Sequence, residues 1–273
     1  MATQQQDEPE VIEVAIALAA SDLAIGTNRI PFGLIEQGTG AVREGNVQVS
    51  TFYLGNGTQE GPIENLDAVF RTWPSVPGGV FVVSAHFDRA GNWGIGVTVS
   101  ENGVVTKQGS LVVQVKEQSA TPTVGAVVPR SNNKTVSDVE RLSQLTTDTN
   151  PDSELYEMTI LEALDTGKPL VVTFATPLYC QTATCGPQVD VVKKVKGQYG
   201  DVLNFIHVEV YDNPEEIEGD LSRARISPTL EEWGLPSEPW VFVVTADGKL
   251  SSKFEGFVGE EEIIAAIEAL LAS

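Results

Sequence analysis

Both cysteines of this 273-residue chain fall in one short stretch, residues 170–188 (LVVTFATPLYCQTATCGPQ), and that stretch constrains the fold more than any other. It opens on an apolar run, Leu170 to Phe174, with the length and β-branched content of a buried strand. Cys180 and Cys185 follow. Gly186-Pro187 then leads into Val189, Val191, Val192 and Val195, whose spacing suits one face of a helix. A strand, a short loop holding thiols and a helix N-terminus make a chemical device. Unpaired N–H groups and the helix dipole there favour a thiolate and lower the thiol pKa.

The rest of the composition narrows the function classes. Two domains is the natural expectation for this length. The net charge is −21, with 13 acidic and 6 basic residues in 1–118 and 25 and 11 in 119–273, so the acidity is spread over both halves. Such a surface repels phosphate backbones, and no nucleic-acid partner is expected. Two cysteines do not make a disulfide framework; five residues apart, they read as a local redox pair or a small structural loop. With only His86 and His207 and a single cysteine pair, no metal site and no cofactor are expected. No run of 18 apolar residues occurs. Residues 1–10 read as a disordered polar leader.

From residue 11 to 117 short strand candidates recur about every ten residues with Gly, Asn and Pro between them, among them NVQVSTFYL, VFVVSAHF and WGIGVTVS. Helical periodicity is lacking, which predicts an all-β, immunoglobulin-like sandwich with Trp73 and Trp93 in its core. Residues 118–150 are rich in Ser, Thr, Pro, Gly and Asn and read as a linker, laid along the second domain or free. Asn56-Gly57-Thr58 and Asn133-Lys134-Thr135 match the glycosylation acceptor pattern.

Residues 151–273 alternate helix and strand. Asn150 can cap a helix that starts at Pro151, carries Leu155, Met158, Leu161 and Leu164, and ends at Gly167. After the thiol loop and its helix come a strand over 202–211, a polar helix over 214–221, two strands over 240–245 and 250–257, and a helix over 260–271. The order α-β-α-β-α-β-β-α predicts an α/β domain with a mixed sheet. On the 202–211 strand, His207, Glu209 and Tyr211 alternate with Ile206, Val208 and Val210.

This order, with thiols after its first strand, resembles the thioredoxin fold over residues 151–272. Asp212-Asn213-Pro214 is similar to the Asp-x-Asn-Pro of thioredoxins, and Trp233 to Pro239 (WGLPSEP) resembles their Tyr-Gly-Ile…Pro segment. The chain resembles exported bacterial thioredoxin-like proteins with a C-x4-C-G-P loop and an EPWVF-type segment, preceded by an immunoglobulin-like domain. The resemblance implies a cis Pro239 facing the sulfurs, and an extracytoplasmic location with a secretion signal already removed. Peripheral or lipid-anchored membrane association of a precursor is compatible with it. The copper-type His and Met sets of some small exported sandwiches are absent.

The departures matter as much. Thioredoxins have Cys-Gly-Pro-Cys; here Gln188 stands at the last position and the second cysteine lies upstream. Counted from Phe174, Cys180 is the attacking thiol and Cys185 resolves; matched on Cys-Gly-Pro, Cys185 is the helix N-terminal thiol and Cys180 its partner. The first register is preferred. The buried acid of thioredoxins matches Thr173, so a proton acceptor must come from elsewhere. His207, matching a lysine near the sulfurs, and Glu209 are expected to form a buried polar pair that tunes the thiols. Leu178, Tyr179 and Glu238 are the expected substrate contacts.

The leading expectation is thiol–disulfide exchange with a protein or small-thiol partner. A non-enzymatic binding or scaffold protein with a structural disulfide is the alternative. Thiol peroxidase chemistry, suggested by Thr182-Ala183-Thr184-Cys185, comes third, because Pro177 is one residue too early for that motif.

Overall fold

The computed structural model describes residues 11–55, 57–73, 78–180 and 184–272. The chain forms two compact units, one of residues up to Thr72 with Gly78–Gln118 and the other of Ser119 onward together with Trp73.

The first unit is all β: β1 Ile12–Leu18, β2 Gly26–Glu36, β3 Gly40–Val42, β4 Asn46–Tyr53, β5 Glu60–Thr72, β6 Gly79–Phe87, β7 Gly91–Glu101 and β8 Val104–Val115. The strands do not separate into two sheets as the immunoglobulin-like sandwich requires. β1 pairs in parallel with β8 through Ile12 and Glu13, then antiparallel with β2 from Val14 onward. β5 likewise pairs with β4 over its first part and with β6 from Val69. Because both strands change partners along their length, hydrogen bonds close seven strands into a barrel-like ring, with β3 appended to β2. Alternation fills the interior: Trp93, Ile95, Val97 and Val99 of β7 all point inward. Trp93 is wholly buried, edge-on to Phe87, and its indole N–H donates to the Arg89 carbonyl. Trp73 does not join this core.

The second unit holds β9 Leu170–Ala175, β10 Asn204–Glu209, β11 Trp240–Val244 and β12 Leu250–Glu255, in the order β10-β9-β11-β12. β9 and β10 are parallel, while β11 runs antiparallel to both β9 and β12. Its helices are α1 Ile160–Asp165, α2 Cys185–Tyr199, α3 Pro214–Ile217, α4 Pro228–Glu232 and α5 Glu260–Leu271. β9 is buried on both faces, which explains its unbroken apolar run. Leu170, Val172 and Phe174 pack with α1, Trp233 and Leu230 of α4; Val171 packs on the other face with α2 and α5. This layering is that of a thioredoxin-like fold.

Three local expectations need correction. The helix expected from Pro151 is broken into a 3₁₀ turn, Ser153–Tyr156, and α1. Thr159 starts α1 afresh with a capping box to Glu162, and Asp152, not Asn150, caps the turn before it. The helix expected over 214–221 stops at Ile217, because Glu218 and Gly219 adopt positive φ and the Asn213 side chain bonds Arg223 and Arg225 across the loop.

Most importantly, the stretch read as a linker is part of the second unit. Gly125 and Val128 donate their N–H groups to the Leu250 and Gly248 carbonyls, Leu250 N–H donates back to Ala126, and Ser131 accepts from the Trp233 indole. Asn133 is buried, caps the first amide of α1 at 2.7 Å and so cannot carry a glycan in the fold; Asn56 lies outside the described residues. Lys134 pairs with Asp212 at 2.8 Å. Close approach fixes the other end: Gly234 has φ 63°, and a Cβ there would collide with the Ala120 carbonyl.

Candidate thiol–disulfide site

β9 lies between β10 and β11, and residues 176–180 leave its carboxyl end. Cys185 is the first residue of α2, and its sulfur is bonded to that of Cys180, with the two Cα atoms 5.9 Å apart. That separation is ordinary for a disulfide. The two sulfurs have unlike surroundings. Cys185 is wholly buried against Ala175 and Val189, whereas Cys180 is only partly covered. Residues 181–183, with the peroxidase-type Thr182, lie outside the described residues.

Facing this pair is the turn that enters β11. The Glu238–Pro239 bond is cis, and Trp240 directly after it pairs with Phe174 at the end of β9. This register brings Glu238 to the thiols. A carboxylate oxygen of Glu238 and the two sulfurs all lie within 4.8 Å of one another. The carboxylate makes no hydrogen bond or ion pair with any described residue, and partial burial pushes its pKa up.

His207 and Glu209 stand on the α2-facing side of β10, opposite Thr173 and Ala175 of β9. Both are buried, but they do not bond to each other; each is held by its own network, which corrects the expected pair. The Ala175 carbonyl lies 3.1 Å from His207 Nε2 and can only accept, so Nε2 carries the proton. Nδ1 therefore accepts from the Tyr156 hydroxyl at 2.7 Å. Burial holds the ring neutral, with its pKa lowered to about 4. His207 thus fixes the end of β9, from which the thiol loop departs.

Glu209 accepts from the backbone N–H and hydroxyl of Thr147 at 2.8 and 2.9 Å and from Val210 N–H at 3.1 Å. Desolvation outweighs these donors and raises its pKa to about 7. The Thr147 hydroxyl also accepts from Leu178 N–H at 3.1 Å, so Glu209 reaches the thiol loop through one side chain. Tyr211 breaks the alternation after β10 ends and packs with the opposite core face, its ring edge-on to Tyr179. Tyr179 Oη accepts from Gly219 N–H, so that ring is committed to packing, while Leu178 is 62% exposed.

Sequence reasoning missed Thr147, Tyr156 and Gln188. Thr147 sits in an aperiodic stretch and Tyr156 off the apolar stripe, so neither carries a sequence signal. Gln188, at the position of the last thioredoxin cysteine, is wholly buried; its oxygen accepts from Val258 N–H while its amide nitrogen has no partner. Thr173, at the position of the missing acid, is likewise buried with its hydroxyl unpartnered.

No protein-family description matches this chain, and no curated protein does. Among solved structures, a Chlorobium tepidum chain assigned as a thiol:disulfide interchange protein DsbE is similar over 55% of this chain and 99% of its own, at 15% identity and a TM-score of 0.39. The thioredoxin domain of a thiol-disulfide oxidoreductase from Bacteroides vulgatus matches over 54% and 96%, at 15% identity and a TM-score of 0.36. A DsbF homologue from Corynebacterium diphtheriae matches over 38% and 73%, at 20% identity and a TM-score of 0.31. Likenesses this distant leave the function to be argued from the site itself.

Proposed function

We propose that the second unit is a thiol–disulfide oxidoreductase acting on a protein or small-thiol partner. The observation that carries this is the asymmetry of the bonded pair: Cys180, only partly covered, is joined to Cys185, wholly buried at the start of a 15-residue helix. An incoming thiolate would attack the less covered sulfur, Cys180, while the buried Cys185 is shielded from outside nucleophiles. In the reducing direction Cys180 attacks the substrate disulfide and Cys185 resolves the mixed disulfide. Leu178 offers the apolar contact beside Cys180, and Pro239 with Glu238 lines the opposite wall. His207 and Glu209 act behind the loop as positioning residues, through Ala175 and Thr147.

The reading places the protein outside the cytoplasm, where a pair of this kind would stay oxidised unless a reductant is supplied. No helix among the described residues is long and apolar enough to cross a membrane.

Insulin reduction driven by dithiothreitol tests the proposal. The protein should accelerate the appearance of free B chain, and Cys180→Ser should remove the acceleration. Equal rates in the two proteins, with a reduction potential below about −300 mV, would mark a structural bridge in a binding or scaffold protein.

A further inference from the structure

We propose that Glu238 is the proton acceptor and donor of the Cys180–Cys185 pair, so that the acid of this site comes from the turn before β11 and not from β9. The proposal rests on the oxidoreductase reading for its purpose but on the geometry alone for its evidence.

Resolution of a mixed disulfide needs a base for the second thiol. In the reducing direction Cys180 thiolate attacks a substrate sulfur; the substrate S–S bond breaks and one substrate thiolate leaves. Cys185 then loses its proton, its sulfur bonds to Cys180 Sγ, and the mixed disulfide breaks to release the second substrate thiolate. Two electrons pass from the pair to the substrate. The Cys185 proton goes to Glu238 and from Glu238 to the departing thiolate, so the carboxylate is returned unchanged.

Other groups near the site are already engaged. Thr173 holds the position on β9 where an acid would stand, and a threonine hydroxyl is no base at neutral pH. Glu209 is bonded to Thr147 and Val210, and its carboxylate does not reach both sulfurs as that of Glu238 does. Both nitrogens of His207 are committed, to Tyr156 and Ala175. Asp148 and Asp190 are paired with Lys193. Glu238 alone among the described carboxylates combines proximity to both sulfurs with the absence of any partner. A half-buried carboxylate gains nothing for stability by standing unpaired beside sulfur, because it has lost water without gaining a donor. The group becomes useful once a thiol there has a proton to give.

The charges around Glu238 favour exchange over permanent ionisation. Tyr211, just past β10, has its pKa raised by burial first and then by the negative charges of Glu238 and Glu209. Ser237, its neighbour, is spent on Glu255 of β12. No described cation offsets this, and desolvation raises the pKa of Glu238. Carboxylate and thiolate within 4.8 Å cannot both be charged cheaply, so the reduced pair and Glu238 share protons as one coupled system.

The test is an ultraviolet thiolate titration of the reduced protein, with a chelator present so that no metal ion lowers the thiol pKa. In the wild type the thiolate signal should rise in a broad, two-step curve. Glu238→Gln keeps the shape but not the charge; its curve should collapse towards a single step, with the apparent thiol pKa lowered by about one unit or more. Glu231→Gln, on the exposed side of α4, controls in the same assay for general disturbance and should leave the two-step form in place. Superimposable wild-type and Glu238→Gln curves, with the oxidised disulfide still forming in both, would overturn the proposal. Because the titration uses no substrate, its outcome is independent of insulin reduction. Coupling without turnover would sink only the oxidoreductase reading, and turnover without coupling only the role of Glu238.

Discussion

Glu209 and His207 sit two residues apart on one strand face, and burial shifts their protonation in ways that oppose each other in stability. Glu209 ionises near 4.5 when exposed in the unfolded chain and near 7 in the fold. Between those values the native state holds a proton that the unfolded state has lost, so stability falls as pH rises from 4.5 to 7. A shift of roughly 2.5 units at 1.36 kcal/mol each amounts to about 3 kcal/mol. His207 moves from 6.5 in the unfolded chain to about 4 in the fold. There the unfolded state holds the extra proton, so stability rises with pH from 4 to 6.5, again by about 3 kcal/mol. In the shared window from 4.5 to 6.5 the two slopes offset each other. Glu209→Gln removes one of them. The variant should gain about 3 kcal/mol between pH 4.5 and 6.5 relative to the wild-type profile, and His207→Gln should lose a similar amount. Hydrogen exchange of β9 and β11 peptides, corrected for intrinsic rates, reads the stability of the second unit without interference from the first. Parallel profiles for wild type and Glu209→Gln would refute the reasoning, whatever the absolute stability of the variant.

Two further predictions concern the segment before residue 150. Thr147→Val preserves shape but removes the hydroxyl that joins Glu209 to Leu178; the Leu178 amide should exchange roughly 5- to 30-fold faster, and Glu209 should titrate above its wild-type value. Asn133→Ala leaves the buried Ile160 N–H at the start of α1 without an acceptor, at a cost of about 1–3 kcal/mol in urea denaturation of the second unit.

What was legible in the sequence was what local periodicity and turn chemistry encode. β9 is an apolar run because both its faces are covered, α5 carries Glu260, Glu261 and Glu262 where its dipole favours them, and β11 follows Pro239 as the resemblance implied. The alternation of β4 and β7 predicted an all-β first unit, but alternation states only which face is inward. Whether strands part into two sheets or close into a ring depends on β1 and β5 changing partners, a long-range choice without a local signature. The expected continuous helix from Pro151 failed for a local reason that was readable in hindsight, the Thr159–Glu162 capping box inside the apolar stripe.

By itself the sequence determined that this protein carries one thiol pair between a buried strand and a helix. Spacing and residue type along the chain suffice for that. Only the tertiary structure decided which groups serve the thiols. Cys185 is wholly buried and Cys180 only partly covered because α2 packs its first turn on Ala175. Glu209 is answered by Thr147 because an aperiodic segment folds back across β10. Glu238, read from the sequence as a substrate contact, stands unpaired at both sulfurs because the register of β11 on β9 puts it there. Protonation depends on distance and solvent access through space, and neither quantity is written in the order of the residues.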